Sequence, residues 1–402
     1  NDDRPVLNIG SDVIIDEAAS TVTFTVTKVG ASDLPVTVDF ATANGTATAG
    51  SDYTATNGSL SFAPGETQKT ITVAITNDTA YEISENFTVA ISNPGNAKLG
   101  TSSATGTIVD DGRTLPGGGT ANDDRPGLSI DDVLIDEAAG NITFTVTRTG
   151  DLSQAASVDY TPSNGSATGG GTDYAVAPGT LNFGVGVSTQ TITVAINNDG
   201  TYEGPETFNI NLSNPVGALI TDPQGVGTIV DDGRTLPGGP ANDDRPVFNM
   251  EADFVVDEAA GTITFTVTKS GATDLASTVA FSTVDGTAVA GSDYDAASGT
   301  LSFAAGETSK TITVNITNDT IFEGAQDFSV QLSAPTNATI GDGTQIATIV
   351  DDGRTLPGGG TANDDRPVLN IGSDVIIDEA AGTVTFAVTK LGASDLPVTV
   401  DF

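Results

Sequence analysis

Hydrophobic and polar residues alternate in short runs along the whole chain, and turns rich in glycine and asparagine separate the runs. Val22, Phe24 and Val26 share one face of the clearest run, and threonines share the other. A period of two residues predicts a half-buried β-strand, and no segment shows the longer period of a helix. In the first 112 residues the predicted strands are residues 6–9, 13–15, 21–27, 35–40, 59–62, 70–75, 87–91 and 103–109.

Rows of threonine also occur on ice-binding faces. Threonine is, however, a favourable residue for the solvent-exposed face of any strand, so a structural role is favoured here.

The whole pattern repeats at a long interval. Arg4, Arg125, Arg245 and Arg366 recur 121, 120 and 121 residues apart. This period is too long for a solenoid repeat and suits one independent domain per repeat. The sequence predicts modules 1, 2 and 3 at residues 1–112, 126–233 and 246–353, linkers at 113–125, 234–245 and 354–366, and an incomplete fourth module at 367–402.

Residues 363–402 match residues 1–40 at all but three positions. The three modules resemble one another far less, which indicates a higher-order repeat of three modules. We therefore expect the sequence to be a window of a longer array, although an open strand at its end would also suit donor-strand polymerisation.

About seven strands in each module predict an all-β fold. The expected architecture is a tandem array of immunoglobulin-like, seven-stranded antiparallel β-sandwiches, arranged as beads on a string. The chain contains no Cys, His or Trp, which excludes disulfides, thiol chemistry and histidine metal sites. A bacterial secreted protein is compatible with the lack of cysteine.

The chain carries 53 acidic and 14 basic residues, a formal net charge of −39. Nucleic acid is excluded as a partner because almost nothing would neutralise its phosphates. No hydrophobic run is long enough to span a membrane. The charge indicates either a well-solvated, halophile-like surface or the binding of divalent cations, which would offset the self-repulsion.

The acidic residues of module 1 gather where predicted strands end. They come from four separate segments, and a sandwich can bring the loops of such segments to one end. Calcium prefers six to eight oxygen ligands from carboxylates and carbonyls on loops. Carboxylates held this closely without a cation would repel and raise one another's pKa. These segments are Asp16-Glu17, the loop with Asp52, residues 78–85 and Asp110-Asp111.

Together these motifs resemble tandem Calx-beta domains. The pattern is Asp-Glu-Ala-Ala-Gly, Gly-Ser-Asp-Tyr, Gly-Thr-Leu-x-Phe, Gly-Glu-Thr-x-Lys-Thr-Ile-Thr-Val, Glu-x-x-Glu-x-Phe and Thr-Ile-Val-Asp-Asp. The resemblance implies a seven-stranded sandwich that binds several Ca²⁺ ions at one end.

Carried over by position, the implied calcium ligands fall in every module. Gln326 replaces the last glutamate in module 3, which puts at least one ion there in doubt, and degenerate metal-free modules remain the alternative. The matching residues are Glu17, Asp52, Asp78, Glu82, Glu85, Asp110 and Asp111 in module 1, Glu137, Asp173, Asp199, Glu203, Glu206, Asp231 and Asp232 in module 2, Glu258, Asp293, Asp319, Glu323, Asp351 and Asp352 in module 3, and Glu379 in the fragment.

The linkers vary less than the modules that they join. Seven of the 14 basic residues are arginines that flank them. A flexible tether needs neither leucine nor arginine, so we expect an ordered linker whose arginines pair with the acidic ends of the same or a neighbouring chain, with Asp123 and Asp124 as further oxygen ligands. Recent gene duplication is the alternative explanation.

The favoured function is a non-enzymatic, calcium-stiffened rod, filament or adhesin stalk of a secreted or cell-surface bacterial protein, with self-association through open sheet edges. A regulatory calcium sensor is the alternative. An enzyme is disfavoured because carboxylate pairs recur in every module, which fits stoichiometric binding better than one active site.

Overall fold

The computed structural model describes residues 3–231, 235–236 and 243–402. The chain divides into two compact units. Unit 1 comprises Asn1–Val133, Asn141–Ala195 and Thr207–Gly227, and unit 2 comprises Leu134–Gly140, Ile196–Glu206 and Thr228–Phe402. Module 1 lies within unit 1 and module 3 within unit 2.

Module 1 contains nine strands. They are β1 (Val6–Ile9), β2 (Val13–Asp16), β3 (Thr21–Val29), β4 (Val36–Asn44), β5 (Asn57–Phe62), β6 (Gln68–Ala74), β7 (Glu85–Gly95), β8 (Lys98–Leu99) and β9 (Ser103–Val109).

These strands form a sandwich of two sheets, in the orders β6-β3-β1-β8 and β2-β9-β7-β4-β5. The first strand divides into β1 and β2, and the last into β8 and β9, with one part of each in either sheet. Counted in this way the module is seven-stranded, as expected. Most pairs are antiparallel, but β1 with β8 and β2 with β9 are parallel.

The alternating run of β3 behaves as its sequence predicts. Val22, Phe24 and Val26 are buried in the core. Phe87 of β7 packs edge-on against Phe24 with ring centroids 6.1 Å apart, and Tyr53 stacks on Phe87 at 4.5 Å. Because Tyr53 directly follows Asp52, this stack fixes an acidic loop to the core.

Modules 2 and 3 repeat the architecture. In module 2 the strands are β10 (Gly127–Ile130), β11 (Val133–Asp136), β12 (Asn141–Thr149), β13 (Ala156–Asn164), β14 (Tyr174–Ala175), β15 (Gly179–Phe183), β16 (Thr189–Ile196), β17 (Thr201–Tyr202), β18 (Glu206–Val216), β19 (Leu219–Ile220) and β20 (Gln224–Val230). One sheet has the order β14-β16-β12-β10-β19, and β13 pairs antiparallel with β15 and β18.

Module 3 has sheets in the orders β27-β23-β21-β30 and β22-β31-β29-β25-β26, where the strands are β21 (Val247–Met250), β22 (Phe254–Asp257), β23 (Thr262–Ser270), β24 (Ala272–Thr273), β25 (Ser277–Asp285), β26 (Ser298–Phe303), β27 (Ser309–Asn315), β28 (Ile321–Phe322), β29 (Gln326–Thr336), β30 (Thr339–Ile340) and β31 (Thr344–Val350). The C-terminal segment contains β32 (Val368–Ile371), β33 (Val388–Leu391) and β34 (Ala393–Ser394).

Within the described part of the chain the only helices are single 3₁₀ turns, at Glu17–Ala19, Thr120–Asn122, Glu137–Ala139, Glu258–Ala260, Thr361–Asn363 and Glu379–Ala381. None of them is long and apolar enough to cross a membrane.

Candidate metal centre

The repeated Asp-Glu-Ala-Ala-Gly motif is a capped 3₁₀ turn at the end of β2. Asp16 Oδ1 accepts a hydrogen bond from the Ala18 amide at 3.0 Å, which is N-cap geometry. The turn ends at Ser20 with a φ of 63°, a conformation that glycine adopts more easily and that explains the glycine of the other modules. The turn buries Glu17, whose side chain enters the acidic end of the sandwich.

We call this acidic end of module 1 the apex. It is a small cleft, and its walls bring together six of the seven predicted ligands of the module, namely Glu17, Asp52, Asp78, Glu82, Glu85 and Asp110. Carboxylates from four separate segments therefore meet at one place, as the sequence predicts.

Backbone amides hold two of these carboxylates in position. Glu17 Oε1 accepts from the Asp78 amide at 2.6 Å, and Asp110 Oδ2 accepts from the Glu82 amide at 2.7 Å. The bonds tie the loop of residues 78–85, which we call the apical loop, to the ends of β2 and β9. Each carboxylate keeps its second oxygen for another partner.

Two features of the apex concern the placement of its carboxylate oxygens. Asp52, Glu82 and Glu85 each place one carboxylate oxygen within 4.8 Å of the other two. Asp110 Oδ1 is buried and has no hydrogen-bond partner among the described residues. A buried oxygen without a hydrogen-bond partner has lost its hydration and has gained no bond to replace it. A cation shared by these oxygens would supply the missing interaction.

The electrostatics of the apex agree with its geometry. Burial, aided by the charges of Asp110 and Asp78, raises the pKa of Glu17 to about 7. Burial and the neighbouring Asp52 raise the pKa of Glu85 to about 7. Burial raises the pKa of Asp110 to about 6, with nearby acids adding to the effect. The protein thus holds these groups where their charged forms are disfavoured.

Module 2 has the same amide contacts at its acidic end. Glu137 Oε1 accepts from the Asp199 amide at 2.7 Å, and Asp231 Oδ2 accepts from the Glu203 amide at 3.2 Å. Burial is the main cause of the raised pKa of both Glu137 and Asp231. Asp173 lies in the loop before β14, where its carboxylate accepts from the Thr168 amide.

Two other ligands were predicted in module 2. Glu206 is the first residue of β18. Asp232 lies outside the described residues.

Module 3 differs at the position of the missing glutamate. Glu258 Oε1 accepts from the Asp319 amide at 2.5 Å, and Asp351 Oδ2 accepts from the Glu323 amide at 2.8 Å. Gln326, however, uses its amide nitrogen to donate to Glu323 Oε2 at 3.2 Å. A carboxylate oxygen that is free in module 1 is therefore engaged in module 3.

The remaining predicted ligands contact a backbone amide, lie exposed or pair with linker arginines. Asp293 Oδ2 accepts from the Val289 amide at 2.6 Å, as Asp52 Oδ2 does from Thr48 in module 1. Glu379 of the C-terminal segment is exposed on its capped turn. Asp111 pairs with Arg125 at 3.1 Å, and Asp352 with Arg366 at 2.9 Å, so both carboxylates contact linker arginines.

The first linker folds back on the apex of module 1. Leu115 donates its amide to the Gly112 carbonyl at 2.7 Å, and Gly118 donates to the Leu115 carbonyl at 3.0 Å. A Cβ on Gly118 would lie 1.9 Å from the Gly112 carbonyl oxygen, so only glycine fits.

The third linker repeats this close approach. Gly359 lies against Gly353, and Asn363 Nδ2 donates to Asp257 Oδ1 at 2.9 Å.

Asp123 is the ionic anchor of the first linker. Its side chain is 2% exposed and accepts from both Arg113 and Arg125, the latter at 2.7 Å. The bond from Arg125 is the main reason that the pKa of Asp123 lies well below its usual range. Arg354 and Arg366 share Asp364 in the same way.

The neighbouring Asp124 interacts with the charges of the acidic apex. Burial and the charge of Asp78 raise its pKa, and its charge in turn acts on Asp110.

We also call the equivalent segments of modules 2 and 3, residues 199–206 and 319–326, apical loops, and each apical loop contacts the module that follows it. We call residues 31–34, 151–154, 272–275 and 393–396 the entry loops. Thr201–Tyr202 pair in parallel with Ala272–Thr273, and the buried Thr273 hydroxyl donates to the Tyr202 carbonyl at 2.8 Å. Ile321–Phe322 pair in the same way with Ala393–Ser394.

At the first joint the contact takes another form. Tyr81 donates its amide to Asp151 Oδ2 at 3.1 Å. Sequence reasoning did not single out Asp151, because modules 1 and 3 have alanine there.

These observations define a tandem β-sandwich protein with an acidic candidate metal centre at the apex of module 1. The sequence profile of the Calx-beta domain matches residues 1–112, 122–232 and 241–353, and the chain belongs to the Calx-beta family.

Several animal proteins are similar to the chain. Extracellular matrix protein 3 of Lytechinus variegatus is 32% identical over 292 residues, which cover 70% of this chain and 9% of that protein. The human FRAS1-related extracellular matrix protein 2 is 30% identical over 321 residues, 73% of this chain and 9% of that protein. Rat sodium/calcium exchanger 1 is 34% identical over 214 residues, 50% of this chain and 22% of that protein.

The chain thus spans less than a tenth of the two matrix proteins. Among solved structures, a crystal structure of the apo-form Calx CBD1 domain is 28% identical, with 27% of this chain and 98% of that chain covered and a TM-score of 0.26.

Proposed function

We propose that this chain is a calcium-binding structural repeat region of an extracellular protein, in which bound Ca²⁺ stiffens a row of sandwiches into a rod. The observation that carries the proposal is the apex of module 1. There Asp52, Glu82 and Glu85 place oxygens within 4.8 Å of one another, and the buried Asp110 Oδ1 has no protein partner among the described residues.

The donor set suits calcium rather than a softer metal. All candidate ligands are carboxylate oxygens on loops, and the chain has no Cys or His to bind zinc or copper. Glu17, Asp52, Asp78, Glu82, Glu85 and Asp110 would hold ions in module 1. Their counterparts are Glu137, Asp173, Asp199, Glu203, Glu206 and Asp231 in module 2, and Glu258, Asp293, Asp319, Glu323 and Asp351 in module 3.

Asp111 and Asp352 would serve mainly as partners of the linker arginines, although each keeps an oxygen that an ion can share. The bound ion supplies positive charge that offsets the repulsion within the apex. The number of ions per module, and the role of Asp232, remain predictions.

Stiffening follows from the position of the apical loop. In module 1 this loop carries Glu82 and Glu85 and also touches the next module through the Tyr81 amide. The linker packs on the same apex through Gly118 and Arg125. An ion that orders the apical loop therefore orders the two contacts that fix the following module.

The extracellular assignment rests on the similar matrix proteins. A bacterial filament or an adhesin stalk is the finer form of the same proposal. A calcium sensor is the second candidate, favoured by the similarity to a sodium/calcium exchanger. The two differ in affinity, because a sensor responds at micromolar calcium or below, whereas extracellular modules bind at roughly 0.1–1 mM.

Isothermal titration of the full chain with Ca²⁺ tests the proposal. We expect Glu85→Gln to reduce the number of ions bound, whereas the matched control Glu66→Gln leaves it unchanged. Glu66 pairs with Lys69 at 3.1 Å near the other end of β3, away from the apex. Absence of calcium heat in the wild-type chain at millimolar concentration would refute calcium binding.

Small-angle scattering tests the stiffening separately. We expect a larger and better defined maximum dimension in calcium than in a chelator. An identical scattering curve in both, from a chain that binds calcium by titration, would leave the ion site standing and remove the rod.

A further inference from the structure

The joints between modules are of two kinds, and they differ at one position on each side. At the first joint, the residue after the apical glutamate is Ile83, and the last residue of the following entry loop is Gln154. At the second joint the same two positions hold Gly204 and Leu275. A small residue is thus followed by leucine, and a large one by glutamine.

At the second joint the glycine and the leucine are in contact. Gly204 is buried, and a Cβ there would lie 3.0 Å from Leu275 Cδ1. Even a methyl group at this position would therefore require the leucine to move. The φ of Gly204 is 82°, a conformation that β-branched residues such as isoleucine rarely adopt. Two separate features thus exclude an isoleucine from this position.

The contact lies beside the backbone pairing that holds the second joint. Thr201–Tyr202 pair in parallel with the following entry loop. The Tyr202 carbonyl accepts from the Thr273 hydroxyl at 2.8 Å and from the Asp274 amide at 3.3 Å. The Thr273 hydroxyl also accepts from the Leu275 amide at 3.0 Å, so the leucine is bonded to the paired segment. A residue that displaces Leu275 would therefore disturb the pairing as well.

The third joint repeats these features. Its apical loop pairs in parallel with Ala393–Ser394, and the Asp395 amide donates to the Phe322 carbonyl at 3.1 Å. A Cβ on Gly324 would lie 3.7 Å from Leu396 Cδ1. Glycine in the apical loop and leucine in the entry loop therefore occur together at both joints that have this pairing.

The first joint is built from other groups. The Tyr81 amide donates to Asp151 Oδ2 at 3.1 Å, and neither residue lies in a strand. Arg148, which is 2% exposed, donates to the carbonyls of Asp151 and Gln154 at 3.0 and 2.6 Å and so holds this entry loop in place. Ile83 is 68% exposed. A carboxylate thus replaces the strand pairing at the joint where isoleucine replaces glycine.

We propose that these two positions select which modules can be neighbours in the array. A glycine-bearing apical loop accepts a leucine-bearing entry loop and forms the parallel pair, whereas the isoleucine of module 1 excludes leucine and requires the entry loop of module 2. In a chain of similar modules, docking of the wrong partners is a characteristic error of folding. A bulky residue that blocks the wrong partner provides specificity by repulsion. The selection concerns the order of the modules and does not depend on calcium.

A double-mutant cycle at the second joint of the full chain tests the proposal. The chains are the wild type, Gly204→Ile, Leu275→Ala and the double variant, and the readout is hydrogen exchange of the Asp274 amide. We expect Gly204→Ile to accelerate this exchange about tenfold when leucine is present, and far less in the Leu275→Ala chain. Strain from the φ of 82° is common to both backgrounds and cancels in the cycle. An equal effect in the two backgrounds would overturn the proposal.

The first joint provides a test in the opposite direction, which decides the matter if exchange in β18 shows that Gly204→Ile unfolds module 2. Gln154→Leu should accelerate exchange of the Tyr81 amide several-fold, and Ile83→Gly in the same chain should reverse the change. Gln154→Ala is the matched control and should have little effect, since Arg148 binds the backbone carbonyl of this residue. If Gln154→Leu and Gln154→Ala behave alike, the proposal fails.

Discussion

Removing one buried charge from the apex should stabilise the chain without calcium and weaken it with calcium. The most informative position is Glu17, which is only 5% exposed. Glu17→Gln keeps an Oε1 that accepts from the Asp78 amide, now at 2.6 Å, and removes the charge. The substitution therefore separates the electrostatic role of the side chain from its structural role.

The magnitude follows from the pKa. Burial raises the pKa of Glu17 from its ordinary 4.5 to about 7. Because the pKa is higher in the folded chain than in the unfolded one, the ion-free fold loses stability as the pH rises from 4.5 to 7, and the loss is complete above 7. A difference of about 2.5 pKa units corresponds to at most about 3 kcal/mol, which Glu17→Gln should restore in module 1.

Scanning calorimetry in a chelator, at about pH 5 and about pH 8, measures this effect. We expect the variant to raise the unfolding temperature of module 1 by roughly 10 °C at the higher pH, and to leave it nearly unchanged at the lower pH. In millimolar calcium the sign should reverse, because the variant has lost a ligand. Glu66→Gln serves as the control, with no dependence on calcium.

Two outcomes would refute this reasoning. If Glu17→Gln is neutral or destabilising in the chelator at high pH, the carboxylate is not held in a disfavoured charged state. If the effect of the variant is the same with calcium as without it, Glu17 does not contribute to an ion site.

Three further predictions concern the linker, module 3 and the core. Gly118→Ala should detach the linker from Gly112 and increase the mobility of the joint in NMR relaxation, whereas Gly119→Ala, with no atom within 4 Å of its Cβ, should not. Gln326→Glu should add to the calcium heat of module 3 in titration and lower its ion-free unfolding temperature. Phe87→Ala should destabilise module 1 by about 3–5 kcal/mol in calorimetry, since the ring is fully buried.

The sequence predicted the fold well because side-chain alternation reports directly on a half-buried sheet. The predicted strand 21–27 lies within β3, which continues to Val29. The predicted strand 103–109 has the same bounds as β9. It missed β8 and the pairing of each apical loop with the next module. These short contacts depend on backbone groups, and backbone hydrogen bonds leave no pattern in the side chains.

The candidate site was predictable as a set of residues but not as a set of contacts. Six acidic residues of module 1 meet at one apex, which strand ends and repeated motifs had indicated. The sequence predicted that linker arginines contact the acidic ends, but not that Asp111, a predicted calcium ligand, is the partner of Arg125, because that ion pair depends on the path of the linker. It also did not reveal Asp151, whose neighbour in space is Tyr81 of the preceding module.

The path of the linker explains why its sequence varies less than the modules. Gly118 has no room for a Cβ, and Gly117 has a φ of 87° with Ala19 against it, so each glycine is fixed by a separate contact. The Asp123 side chain is buried between two arginines. Loss of either arginine would leave this buried carboxylate with only one cationic partner. Recent duplication would explain identity at every position equally, whereas these contacts explain it at the two glycines, the arginines and Asp123. At these positions of the first linker a structural constraint exists, and it applies next to the apex where the proposed ions would lie.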